Sequence, residues 1–393
     1  MKRMKRWLIA VIVILSLVGY YGSVKAKVQG ICSDCHTMHS SQTPSPTVWE
    51  EAGWTAGTTN GALVVGGCIG CHSGDSPRRG ASNEIPVVLR TQQPDGTGNN
   101  KSLAGGDFWW VASSGGNDDT KGHNVKGLAN IDQVMSNNGV TAPPGWDTNC
   151  PGDKDGNKVA NGASTWGFDT DTQLTCAGTY GCHGKHGPGI IDDYAAIRGA
   201  HHGDDSCLKP TSVNEGTQGS TVAASYRFLY GIHGIEDNDW EFACSETDHN
   251  QYKGVNGNSS YSDRTTISYL CAECHGLFHD QSVIGTQSPW LRHPTDFDLG
   301  SASTDEYKYY NGGSGAGNNY SVIAPVASSD LSQGILSTVN PGSADGTAIV
   351  ICLSCHRAHG SEYPDLLRWC YNDMVAGQQT TPNEGCFICH TTK

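Results

Sequence analysis

Apolar positions crowd one end of this chain and then thin out. Trp7 to Val18 is an almost unbroken apolar run behind Lys2, Arg3, Lys5 and Arg6. A basic start, a short apolar stretch and the small-residue site Val24-Lys25-Ala26 read as a secretory signal over 1–26. The run is too short, and wrongly flanked, for a stable membrane span. An uncleaved anchor is the alternative. Residues 27–393 then form a single domain with no clean internal boundary.

Beyond residue 26 neither the helical nor the strand period persists. Ile191–Ala200 and Ala129–Ser136 are modest helix candidates. Thr91–Ser102, Asn137–Gly167, Lys209–Gly219 and Ser301–Gly317 read as loops. Only 36% of residues are hydrophobic, and 51 are glycine, so the apolar core is poor for 393 residues. Ordinarily such a chain would be called disordered. Something other than side chains must supply the core.

The cysteines say what it is. CxxCH occurs five times, at Cys32-Cys35-His36, Cys68-Cys71-His72, Cys271-Cys274-His275, Cys352-Cys355-His356 and Cys386-Cys389-His390. Each is an attachment signature for c-type haem: two thiols reach the porphyrin vinyls, and the next residue gives an imidazole to the iron. A zinc site or redox pair would not repeat the following histidine five times. Cys176 and Cys182, spaced by five residues and followed by His183, form an irregular sixth site, with a local disulfide as its alternative. Six large apolar discs, covalently held, can replace a core. The expected fold is therefore a multihaem cytochrome c: mostly coil with short helices and very little sheet, wrapped around a stacked haem chain.

Of 16 cysteines, Cys150, Cys207, Cys244 and Cys370 remain. In an exported chain they suggest two disulfides. Cys207–Cys244 closes a local loop, leaving Cys150–Cys370. Of 16 histidines, six are proximal: His36, His72, His183, His275, His356 and His390. Methionine is scarce after residue 26, so bis-histidine ligation is the economical reading. Iron with two imidazoles has no open position, so it transfers electrons and does not transform a substrate. No catalytic residue is nominated.

Four motifs carry another histidine just downstream: His39, His186, His279 and His359. Residues three or four apart share a helical face. Such a second imidazole cannot reach the far side of its own haem, but it can ligate a neighbouring iron and hold two haems almost in contact. His123 and His293 also look placed for ligation. His201, His202 and His233 are reserves, and His249 is expected at the surface.

Removing residues 1–26 takes five of the 25 basic side chains and none of the 39 acidic ones, deepening the net charge from −14 to −19. Nucleic acid is excluded as a partner. The surface suits cationic partners, metal ions or positively charged mineral faces.

These residues resemble the outer-surface multihaem cytochromes of metal-reducing bacteria, in their six-haem, filament-forming (OmcS-like) type. The resemblance is carried by Cys32–His39, by Gly105–Phe108 followed by Lys121–Asn124, by Cys271–His275 through Leu291–Pro294, by Cys352–His359 and by the last motif. It implies six haems c in a wire through each subunit, with His39, His123, His186, His279, His293 and His359 as distal ligands. It implies a head-to-tail filament of identical copies, in which His39 reaches the 352–356 haem of the adjacent subunit. Other cytochromes or extracellular metal oxides would be the redox partners, and the outer surface the location, with the periplasm as alternative. Three departures stand out: the x5 site, the unmatched stretches Val125–Thr175 and Gly199–Asp263, and the four spare cysteines. Arg198–His202 and Tyr226–His233 offer a different ligand for the third haem. The competing readings are a monomeric electron carrier and a multihaem reductase.

Overall fold

With no sustained period to nucleate long elements, the chain folds through caps, turns and two-residue strands. The computed structural model describes residues 32, 35–36, 63–64, 67–74, 85–98, 100–112, 118–130, 143–146, 148–159, 173–190, 192–202, 219–237, 239–257, 261–279, 293–302, 305–375 and 384–390. The signal segment and most of the Ala129–Ser136 candidate lie outside them. Among the described residues no helix is long and apolar enough to cross a membrane.

Three short α-helices are described: α1 Cys68–His72, α2 Asp193–Ala196 and α3 Ile267–His275. The nine-residue α3 starts where Thr266 Oγ1 accepts from the Tyr269 N–H at 3.1 Å, which satisfies one orphan donor of the first turn. Asp192 caps α2 in the same way, accepting from Ala195 N–H at 2.7 Å. The Ile191–Ala200 candidate thus yields one helical turn and a 3-10 turn, Ala200–His202. The sequence reads Ser301–Gly317 as a loop, but Asp305–Gly312 is a 3-10 segment broken at Tyr310 and Asn311.

Strands pair only two at a time. β1 (Thr175–Ala177) lies parallel to β2 (Gly181–His183). The antiparallel pairs are β3 (Gly234–Ile235) with β4 (Gln251–Tyr252), β5 (Phe297–Asp298) with β8 (Ile349–Val350), and β6 (Asn318–Asn319) with β7 (Thr338–Val339).

The core is correspondingly divided into islands, and three of them touch a cysteine motif. Ile69 of α1 joins Leu89, Phe108, Val111 and Val125, with Cys176 packed on their edge. Ile267 and Tyr269 of α3 join Tyr226, Tyr252, Ile349 and Leu353. Tyr310, Tyr320, Val326, Trp369 and Ile388 gather beneath Cys355, Cys386 and Cys389. A buried aliphatic side chain contributes about 1.5–3 kcal/mol, so each of these three anchors a motif without making a continuous interior.

Candidate functional site

One helical turn brings the chemistry of a CxxCH motif together. The His36, His356 and His390 N–H groups donate to the carbonyls of Cys32, Cys352 and Cys386 at 2.9, 3.0 and 3.0 Å. Both thiols and the imidazole therefore sit on a single coil. The x5 site reaches the same end differently. β1 and β2 fold its extra residues into a bulge closed by Thr175 N–H to Tyr180 O and Gly178 N–H to His183 O. Gly181 cannot be replaced there, because a Cβ would stand 2.4 Å from Ala177 backbone. The Cys176 and Cys182 thiols come near enough to act on each other electrostatically. Cys182 has accessible surface, yet desolvation pushes its thiol up to about 12.

Imidazoles from distant segments face one another in pairs. Ring centres are 6.1 Å apart for His36 and His202, 6.3 Å for His72 and His201, and 6.3 Å for His275 and His123. They are 6.5 Å apart for His183 and His359, and 6.0 Å for His390 and His293. Two metal–nitrogen bonds of about 2 Å, plus roughly 1 Å from each nitrogen to its ring centre, make about 6 Å. Five motif histidines therefore each face a second imidazole at the span one iron requires. With two thiols beside each pair, the donor set fits a covalently held haem. His356 is exposed and has no imidazole opposite it among the described residues.

Hydrogen bonds sort the ring nitrogens. Nδ1–H donates to a backbone carbonyl in His72 (Pro86, 2.9 Å), His123 (Ala358, 2.6 Å), His183 (Arg227, 2.9 Å), His275 (Pro144, 2.6 Å), His293 (Pro294, 2.9 Å) and His356 (Asp365, 2.7 Å). Each bond puts the proton on Nδ1 and leaves the Nε2 lone pair for a metal. Burial disfavours the charged form of five of them, His72, His123, His183, His275 and His293. It drives His123 down to about 4 and His359 down to about 3, aided by neighbouring imidazoles, and lowers His72, His183, His275 and His293.

The segments carrying His123 and His359 are zipped together. His359 N–H donates to Gly105 O at 2.7 Å and His123 N–H to His359 O at 3.2 Å. Gly106, at φ +84, lets the strands meet; a Cβ there would stand 1.9 Å from Gly360 O. Phe108 stacks on the His359 ring at 4.7 Å.

Two expected distal residues are placed otherwise. His186 spends both nitrogens, Nδ1 on Gly178 O at 2.7 Å and Nε2 on Glu273 Oε2 at 2.8 Å, so it has no lone pair to give. His279 Nδ1 meets Asp296 Oδ2 at 3.1 Å, and its other side approaches the Cys352 sulfur, not a motif imidazole. Burial works against charge on both rings, but Glu273 raises His186, and Asp296 and Cys352 raise His279 to about 10. The reserve residues His201 and His202 take the facing positions instead. The signal available in the sequence was the adjacent pair itself. His39 lies outside the described residues. His233 is half-buried beside Gly219. His249, expected at the surface, is buried and stacked on Tyr320 at 3.6 Å.

The expected bridge Cys150–Cys370 is not formed. Cys150 is a buried thiol accepting from Gly276 N–H at 3.3 Å, and Cys370 and Cys244 are unbridged. Cys207 lies outside the described residues. Asp153 makes a turn, its Oδ1 accepting from Asp155 and Asn157 N–H at 3.0 and 2.9 Å.

Successive motifs neighbour one another. His72 influences His183, Cys182 influences Cys274, Cys271 and Cys352 influence each other, and Cys355 influences and is influenced by the last motif's cysteines.

A family model described as the doubled CXXCH motif matches residues 344–393. The C-type cytochrome OmcS of Geobacter sulfurreducens is 27% identical over 378 residues, covering 86% of this chain and 78% of the relative. Two solved structures are similar: the outer membrane cytochrome S filament of that organism, at 19% identity and TM-score 0.42 over 88% of this chain and 85% of the other, and the OmcS nanowires studied by cryo-electron microscopy, at 20% and 0.42 over 87% and 84%. The chain is thus similar to the C-type cytochrome OmcS along most of its sequence, and it carries the doubled CXXCH motif at its C-terminal end.

Proposed function

We propose that this chain is an exported electron-transfer protein that carries electrons along six bis-histidine haems c, as a subunit of a head-to-tail extracellular filament. The observation that carries the reading is the set of five facing imidazole pairs at 6.0–6.5 Å. The ligand pairs are then His36 with His202, His72 with His201, His183 with His359, His275 with His123, and His390 with His293. His356 takes His39 of the adjacent copy, which the likeness to OmcS supports and the exposure of His356 permits.

Bound haem supplies one-electron chemistry and the apolar surface that the sequence lacks. The chain's own residues do the rest. The Nδ1 bonds of seven rings fix the tautomer and aim Nε2. Burial disfavours the charged form of His72, His123, His183, His275, His293 and His359. Cysteine contacts between successive motifs hold neighbouring cofactors close. A contact that joins one end of a subunit to the other end of the next, without closing a ring, builds an open filament.

Electron microscopy of the native protein from the cell surface tests this. Thin uniform filaments with cofactor density crossing each subunit boundary are expected. Fully loaded discrete monomers would move the answer to a soluble carrier. His39→Ala should leave all haems attached, abolish filaments and leave the 352–356 iron short of a ligand. Filaments of normal length from that variant would remove the intersubunit role.

A further inference from the structure

Seven histidines of the array donate Nδ1–H to an identified acceptor, and six of those acceptors are backbone carbonyls. The exception is His390, whose Nδ1 meets Glu306 Oε1 at 2.8 Å. Both side chains are largely covered, at 21% and 12% exposure, so the contact is weakly screened. Glu306 is held there by the 3-10 segment Asp305–Gly312, which packs on the Gly385–Ile388 turn of the last motif. Tyr307, the next residue, sets its ring edge-on to His390 at 5.2 Å.

We propose that Glu306 is a positioning residue that lowers the reduction potential of the 386–390 haem. The inference rests on the reading of His390 as an iron ligand. A carboxylate accepting the Nδ1 proton gives the imidazole partial imidazolate character, which a carbonyl does not. The ring then donates more strongly through Nε2, and the carboxylate charge sits close by. Both effects favour the oxidised iron. The electron comes from, and leaves to, the neighbouring haem of the wire, and the proton stays in the Glu306–His390 bond throughout. Glu306 therefore tunes one end of the array while touching neither electron nor cofactor.

The ring geometry supplies a spectroscopic handle. The His293 and His390 planes cross at 88°, whereas the other four pairs lie between 17° and 48°. Crossed axial rings leave two iron d orbitals nearly degenerate, so the 386–390 haem should give the low-spin signal with the largest g value.

The test is an EPR-monitored redox titration of the haem-loaded full chain, wild type against Glu306→Gln and Glu306→Asp, with the mass of the Cys386–Cys389 peptide read for each. The Gln variant should shift the equilibrium of that one signal at least tenfold toward the reduced form, about 59 mV for one electron. The Asp variant should stay nearer to wild type, and the other signals should not move. A loaded Gln variant with an unchanged potential would overturn the proposal. If Gln fails to load, Glu306→Ala takes its place under the same criterion. A wild-type peptide lacking haem mass would overturn the reading of the site itself, and this inference with it.

Discussion

Two stretches of this molecule share one sequence pattern and use it in opposite ways. His183 and His186 lie at and after the x5 site, and His356 and His359 at and after the fourth CxxCH motif, with the same spacing. His359 leaves its own motif and faces His183 at 6.5 Å. His186 turns inward and is consumed by Glu273 and Gly178. Spacing brings a second imidazole near a motif in both cases. What it does there is decided by residues far away in sequence: Gly105 and Phe108, which make room and stack, or Glu273, which binds. His359 keeps its ring facing a motif imidazole, whereas Glu273 has claimed the Nε2 of His186.

The largest effect should come from His359→Ala. It should turn the 176–183 haem high-spin while its thioethers stay intact, as read by EPR and peptide mass. His186→Ala should leave every haem low-spin, and a high-spin signal from it would collapse the contrast between the two stretches. It should instead cost about 3–5 kcal/mol in denaturant melts, because Glu273 is left buried without its partner. Gly105→Ala places a Cβ 3.0 Å from His359 Nδ1. It should cost about 1–3 kcal/mol and broaden the signal of the same haem that His359→Ala disturbs.

The same contrast predicts a pH dependence. Folding raises His186 above its ordinary 6.5, since Glu273 outweighs burial. Its contribution is full below 6.5 and fades as pH rises through the raised folded value. Melts across that window should show the decline, and Glu273→Gln should flatten it. Smallest of all, Thr266→Ala should cost about 1 kcal/mol by uncapping α3, the helix that carries Glu273.

The motifs were legible because their pattern is local: twelve cysteines and six histidines are nominated by spacing alone, and the doubled CXXCH match covers those within 344–393. The mostly irregular fold was legible too, because weak periodicity cannot support long elements. The distal side was not. Whether His186 or His202 faces a motif imidazole depends on contacts 87 or more residues away, which no spacing encodes. Cys150 and Cys370 were paired by elimination, and elimination ignores that Cys150 is already engaged with Gly276. Ser301–Gly317 looked structureless because its 3-10 turn depends on Asn318, whose side chain holds Lys308 O and Tyr310 O at 2.8 and 2.9 Å.

His201 and His202 are consecutive, and they face His72 and His36 respectively. Their Cα atoms are therefore tied at about 3.8 Å by one peptide unit. In the proposed wire, that unit is an inextensible link. A filament pulled or bent at the cell surface can give way at its loops and at its subunit joints. The gap between its first two redox centres is fixed by a covalent length and resists strain, much as the spacing of two beads knotted on one thread survives a tug on the string.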